Sequence, residues 1–221
     1  MINLKFKGKN IKLKTTKIIA VARNYKAHAD EMRQSVPKEP KIFLKPPSAM
    51  IGNNGVVILP KLSKRVDHEI ELAVLIKTMC RKISPQNALE NILGYTVIVD
   101  ITARDIQKKA KNIGMPWTIA KGFDTFAPIG PIIMPANQIN PNNLDIWLKV
   151  NGEYKQQSNT KNMIFSVGEL ISFISKIMTL EPMDIIATGT PEGVGPIKHG
   201  DTIEAGIQGI GILKFSAEQE D

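Results

Sequence analysis

The 221-residue sequence has one cysteine, Cys80, so no disulfide can form within the chain and nothing in it calls for an oxidising compartment. It has no run of about 18 apolar residues to span a bilayer, and its N-terminus lacks the apolar core of a secretory signal. Met1 to Lys17 contains neither Arg nor Ser, unlike a transit peptide. These absences predict a soluble, cytoplasmic protein with no membrane partner. Acidic residues are also in the minority, 21 against 29 Lys+Arg, giving a net charge of +8. Such a balance invites a nucleic-acid reading, but its distribution argues against one. Residues 1–45 carry 12 basic and 3 acidic side chains, and the remainder 17 and 18. The basic segment lacks both the interleaved aromatics of single-strand binders and a recognition-helix pattern, so a nucleic-acid-binding module is the disfavoured alternative. With 43% hydrophobic and 23% charged residues, the chain has the material for one globular core, and a single domain over 1–221 is expected.

Residues 2–6 and 11–14 alternate apolar and polar around Lys7-Gly8-Lys9-Asn10, which predicts a hairpin within residues 1–17 with its lysines on the wet face. Ile18-Ile19-Ala20-Val21-Ala22 reads as a buried strand running into a helix over 23–32. Further strands are expected at 42–44, 56–59, 68–76, 94–100, 129–133, 145–150, 184–188, 202–206 and 209–215. Helices are expected near 85–92, 102–112 and 166–178, and Asn151-Gly152 marks a hairpin turn. Helices do not alternate regularly with strands, so the fold class is α+β and strand-rich rather than doubly wound.

Asp67-His68-Glu69-Ile70-Glu71 leads into an apolar run, and period two places Asp67, Glu69 and Glu71 on one strand face. Two readings stand: a solvated face paired with lysines, or a hard-metal site. Asp100 ends another apolar strand, before a helix that Thr102 and Asp105 could cap. Beside Glu69 and Glu71 it would complete three oxygen ligands without His or Cys, which suits Mg²⁺ or Mn²⁺ rather than zinc. His28 and Glu31, at i and i+3, form either a carboxylate-oriented general base or an ordinary surface contact. Lys121 is an isolated cation among apolar and aromatic residues. Thr188-Gly189-Thr190-Pro191-Glu192-Gly193 lacks the Lys of a phosphate loop, and is either a tight turn or a backbone cradle for a carboxylate.

Seven segments in order resemble the fumarylacetoacetate hydrolase family, in its short acylpyruvase and oxaloacetate decarboxylase form. They are Arg23-Asn24-Tyr25 with His28 and Glu31, Phe43-Leu44-Lys45-Pro46, His68 to Leu72, Asp100 to Gln107, Pro116 to Lys121, Val150 to Glu153, and Thr188 to Gly195. The resemblance implies a mixed β-roll, usually a homodimer. It implies that Glu69, Glu71 and Asp100 ligate Mg²⁺ or Mn²⁺, and that His28 and Glu31 form a catalytic dyad on a lid segment of about residues 24–40, with Met32, Arg33, Ser35 and Pro37 shaping it. Lys121 is implied as catalytic, and Arg23, Lys45, Arg104, Gln107 and Thr190 as substrate-binding. The implied activity is Mg²⁺-dependent cleavage of a carbon–carbon bond in small 2-oxo acids, or decarboxylation of oxaloacetate, by way of a pyruvate enolate. The implied alternative is isomerisation or keto-enol tautomerisation, of a 2-hydroxyhepta-2,4-diene-1,7-dioate or of oxaloacetate.

Overall fold

Two sheets hold most of the strands in the computed structural model, which describes residues 2–31 and 35–221. The larger has eight strands in the order β2 (Lys9–Leu13), β1 (Ile2–Phe6), β12 (Ile132–Pro135), β9 (Ile92–Val99), β8 (Ile70–Ile76), β15 (Ile185–Ala187), β3 (Ile18–Ala22) and β4 (Lys41–Lys45). The second runs β14 (Glu153–Asn159), β13 (Asp145–Val150), β17 (Thr202–Ile207), β18 (Gly211–Gln219) and β6 (Gly55–Leu59). Parallel pairs (β1 with β12, β15 with β3, β18 with β6) mix with antiparallel ones, so the strand-rich α+β roll expected from the sequence is what forms.

All seven residues of β8 are buried. Its side chains alternate between two cores: Leu72, Val74 and Ile76 meet the five-stranded sheet and the long helix, while Ala73 and Leu75 meet β3 and the N-terminal hairpin. The hairpin buries Leu4 and Leu13 and leaves Lys5, Lys9 and Lys12 exposed.

A three-stranded sheet, β10 (Thr102–Ala103), β7 (Val66–His68) and β16 (Gly195–Ile197), and a short pair, β5 (Met50–Ile51) with β11 (Ala127–Pro128), complete the strands of the described residues. The helices are α1 (Lys26–Glu31), α2 (Pro85–Ala88), α3 (Arg104–Asn112), α4 (Thr118–Lys121) and α5 (Val167–Ile177). None is long and apolar enough to cross a membrane. Helix α5 starts with a full capping box between Ser166 and Glu169.

Three expectations need correction. The helix predicted over 23–32 begins at Lys26, because Arg23 has φ 58° and turns the chain out of β3. The strand predicted over 68–76 breaks at Glu69, where the chain leaves the sheet of β10 and β16 for that of β9 and β15. Thr102 does not cap α3: its hydroxyl donates to the Asp100 carbonyl, while Asp105 accepts from Ser63 Oγ and the Lys64 N–H.

Candidate active site

The break at Glu69 brings together carboxylates from separate strands. Glu69 lies in the gap, Glu71 on β8 and Asp100 just past the end of β9, and one oxygen from each lies within 4.8 Å of the others. All three are buried, which excludes the solvated-face reading. Three carboxylates so close in a low-dielectric setting demand positive charge. Lys121, at the end of α4, supplies part of it: Nζ donates to Asp100 Oδ2 (2.5 Å), Glu69 Oε2 (2.9 Å) and Thr102 Oγ1 (2.6 Å). It is therefore not isolated, and all three of its N–H groups are taken up by its own chain. Arg104, the first residue of α3, donates to Glu69 Oε1, to Asp67 Oδ2 (2.8 Å) and to Gln107 Oε1 (2.6 Å), leaving two N–H groups uncommitted.

Lys45 was expected to touch substrate and does not line the cavity. Its fully buried Nζ lies behind the cluster, 2.7 Å from Asp100 Oδ1, and donates to the carbonyls of Ile101 (3.1 Å) and Lys121 (2.5 Å). Asp67 shares the strand parity of Glu69 and Glu71 but is drawn off by Arg65 and Arg104.

The charges sort accordingly. Burial works against the charge on Glu69, but Lys121 and Arg104 outweigh it and hold its carboxyl below the usual range. Burial likewise opposes the charge on Lys121, and Asp100 and Glu69 hold it above its ordinary value. Glu71 is the exception: burial, then Asp100 and Glu69, push it well above the usual carboxylate range, and the Gly189 N–H at 2.7 Å is its one hydrogen bond among the described residues. The residues fit a divalent cation on this observation. The donors are hard oxygens, and Glu71 is a carboxylate with no ion-pair partner among the described residues, the nearby charge of Lys121 falling short of offsetting its burial.

Above this floor is a cavity of about 560 Å³. Arg23, His28, Glu31, Arg104, Gln107, Lys121 and Thr190 all reach its wall, so the structure brings every sequence-derived site residue except Lys45 to the floor or walls of one space. His28 on α1 lies with Nδ1 3.2 Å from Glu31 Oε2; an Nδ1–H donated to that carboxylate leaves the lone pair of Nε2 free. Glu31 Oε1 also accepts from the Gly193 N–H (3.1 Å). The loop after β15 thus does hold carboxylates, but they are the protein's own. Of the proposed lid residues, Met32 and Arg33 lie outside the described residues.

Two residues escaped the sequence reading. Gln156 on β14 is buried, and its amide links the strand that carries Glu71 to the loop after β15. Oε1 accepts from the Ile70 N–H (3.1 Å) and His68 Nδ1 (3.0 Å), and Nε2 donates to Thr190 Oγ1 (2.8 Å) and the Pro191 carbonyl (2.9 Å). The backbone partners fix the orientation of the amide, which makes His68 an Nδ1–H donor. Asn24 similarly pins Phe165 and Thr188 by three hydrogen bonds. Nothing in the polar run Tyr154-Lys155-Gln156-Gln157 distinguishes the inward side chain; register against β13, with its bulge at Leu148/Lys149, decides it.

The sequence model of the Fumarylacetoacetate (FAA) hydrolase C-terminal domain matches residues 17–216. The mitochondrial oxaloacetate tautomerase of Arabidopsis thaliana is 50% identical over 204 residues, spanning 92% of each chain. A crystal structure of fumarylpyruvate hydrolase from Pseudomonas aeruginosa, in complex with Mn²⁺ and pyruvate, superposes with a TM-score of 0.94 at 36% identity, covering 99% of this chain and 96% of that one. A 2-hydroxyhepta-2,4-diene-1,7-dioate isomerase from Mycobacterium marinum superposes with a TM-score of 0.85 at 39% identity, covering 98% and 83%.

Proposed function

Because the chain belongs to the fumarylacetoacetate hydrolase family, we propose that it is a divalent-metal-dependent enzyme that cleaves a carbon–carbon bond in small 2-oxo acids or decarboxylates oxaloacetate. The observation that carries this reading is the buried Glu69, Glu71 and Asp100 cluster facing the His28–Glu31 pair across one cavity. Mg²⁺ or Mn²⁺ held by the three carboxylates would supply Lewis acidity toward the carboxylate and keto oxygens of the acid. The two uncommitted N–H groups of Arg104, with Gln107 and the Thr190 hydroxyl, orient those oxygens. Lys121 and Lys45 act on the floor, by holding Glu69 and Asp100 in place as anions. His28, kept in its Nδ1–H form by Glu31, takes a proton at Nε2: from water when the distal carbonyl of an acylpyruvate is to be attacked, or from carbon when the acid only changes tautomer.

That second outcome, tautomerisation, is favoured by the 50% identity to an oxaloacetate tautomerase. The test strips the protein with chelator, reloads it with Mg²⁺ or Mn²⁺, and measures turnover of acetylpyruvate and of oxaloacetate, with product analysis in H₂¹⁸O. Label in the carboxylate of the released acid identifies hydrolysis; interconversion of keto and enol oxaloacetate without CO₂ loss identifies the tautomerase. Absence of any metal-dependent turnover would refute both. His28→Asn is expected to retain metal binding while losing proton transfer.

A further inference from the structure

Thr190 stands buried at the cavity wall with its hydroxyl against the Gln156 amide. A hydroxyl can give one proton and accept two, so its polarity toward a ligand is set by its neighbours. Gln156 sets it here. Turning the amide over would place its NH₂ against the Ile70 N–H and its oxygen against the Pro191 carbonyl, two backbone groups whose roles cannot reverse. Nε2 is therefore the donor in the 2.8 Å contact with Thr190, and Oγ1 is the acceptor. The hydroxyl proton of Thr190 has to point elsewhere, and among the described residues it meets no acceptor. Its neighbours differ: Thr188 donates to the Leu72 carbonyl (3.0 Å) and Thr102 to the Asp100 carbonyl (3.2 Å). Thr190 thus keeps a proton at the wall of the cavity.

We infer that Gln156 is a positioning residue that fixes Thr190 as a hydrogen-bond donor to the cavity, so that this wall accepts a ligand oxygen offering lone pairs and refuses a ligand O–H or N–H. Gln156 does not line the cavity and acts only through the hydroxyl. The inference rests on the 2-oxo acid reading above and deepens it, since keto and enolate oxygens are acceptors whereas an enol hydroxyl brings its own proton.

The probe is pyruvate, whose oxygens are all acceptors, titrated calorimetrically into the Mg²⁺-loaded protein. Gln156→Glu keeps the side-chain shape and still accepts from Ile70 and His68, but it reverses the far end of the group. Ionised, that end can only accept; protonated, its one hydrogen goes to the Pro191 carbonyl. In either form it draws the Thr190 proton away from the cavity. Gln156→Met, of similar volume, removes all four hydrogen bonds and leaves the hydroxyl free to turn toward the acid. Pyruvate is expected to bind about tenfold more weakly to Gln156→Glu, as for one lost hydrogen bond to a charged acceptor, and no more than about threefold more weakly to Gln156→Met. A residue that only braced the loop would give the opposite order, because Met disrupts more of its contacts. Thr190→Val controls for the introduced charge: in that background Gln156→Glu has no hydroxyl to reverse, and a change below about twofold is expected. Thr190→Val alone is expected to cost about tenfold and Thr190→Ser little, which tests the donor even where Gln156→Glu fails to fold. Full affinity in Thr190→Val, an equal loss from Gln156→Glu in both backgrounds, or a larger loss in Gln156→Met overturns the assignment and leaves the 2-oxo acid reading standing. Failure of pyruvate to bind the unaltered protein overturns that reading and the assignment with it.

Discussion

Replacing Lys121 by Met tests whether the floor is held together by charge. The side chain is 1% exposed, and its ammonium bridges Glu69 and Asp100. Without it Glu69 keeps Arg104 and Asp100 keeps Lys45, but four buried carboxylates, counting Asp67 and Glu71, then face the buried Lys45, the half-buried Arg104 and the exposed Arg65. An uncompensated buried carboxylate takes up a proton instead of staying charged. At pH 7, protonating a group whose unfolded pKa is about 4.3 costs about 1.4 kcal/mol per pH unit, or about 3.7 kcal/mol in all. That is a ceiling on the loss, because the proton is always available. The folded variant then holds one proton more than the unaltered fold does, so its stability relative to the unaltered protein falls as pH rises. The expected loss is about 3–4 kcal/mol at pH 7 and about 1 kcal/mol at pH 5. Urea denaturation of both proteins in EDTA across that range measures it. A loss of the same size at both pH values would mean that the lysine contributes packing, including its contact with the Phe43 ring at 4.9 Å, and would refute the electrostatic argument.

Glu71→Gln is expected to leave the metal-free protein as stable as before or slightly more so, since the amide oxygen can still accept from Gly189 while the cost of keeping a buried carboxyl protonated at neutral pH is removed. Mg²⁺ is expected to raise the melting temperature of the unaltered protein, and the same substitution is expected to abolish that rise. Because the Glu71 carboxyl sits well above the usual range without metal, cation binding expels its proton. Affinity therefore rises with pH, and calorimetry in buffers of different ionisation enthalpy reads the proton release, which Glu71→Gln should remove. Gln156→Leu keeps the volume but strands the Ile70 N–H and the Pro191 carbonyl. A loss of about 3 kcal/mol is expected in denaturant melts, with faster amide exchange at Gly189 and in the rest of the loop after β15; unchanged exchange there would show that the amide does not brace the loop.

The parts of this site legible in the sequence are those set by strand period and strand ends. Glu69 and Glu71 alternate into an apolar run, and Asp100 closes another, so their convergence follows from ordinary pleat geometry once β8 and β9 pair. Parity alone could not show that Asp67 leaves the set, because the break at Glu69 arises from β7 pairing with β10 and β16, a contact between segments distant in sequence. The helix starts misread at 23 and 102 share a cause. Polar residues that cap or propagate helices in isolation are here diverted to tertiary partners: Asn24 to Phe165 and Thr188, Thr102 to Asp100 and Lys121, Asp105 to Ser63 and Lys64. Lys45 and Gln156 were illegible for a stronger reason. A lysine in an otherwise apolar strand and a glutamine in a polar one carry no sign of burial until the surrounding sheets close over them.

The loop after β15 binds these observations into one device. Its Gly189 N–H holds Glu71 of the floor, and four residues on, its Gly193 N–H holds Glu31, the partner of His28. Neither glycine can be replaced without distortion. Gly189 has φ 96° with a Cβ position 2.7 Å from Asn24 Cβ, and Gly193 has φ 88° with one 2.0 Å from the Lys155 carbonyl oxygen. The backbone is thus obliged to present both N–H groups, and the position of the His28–Glu31 pair is referred to the same short segment as Glu71. Hydrolysis and tautomerisation would share that floor and that base. They differ in whether Nε2 of His28 faces a water or a carbon of the acid, which depends on how much of the cavity the substrate fills.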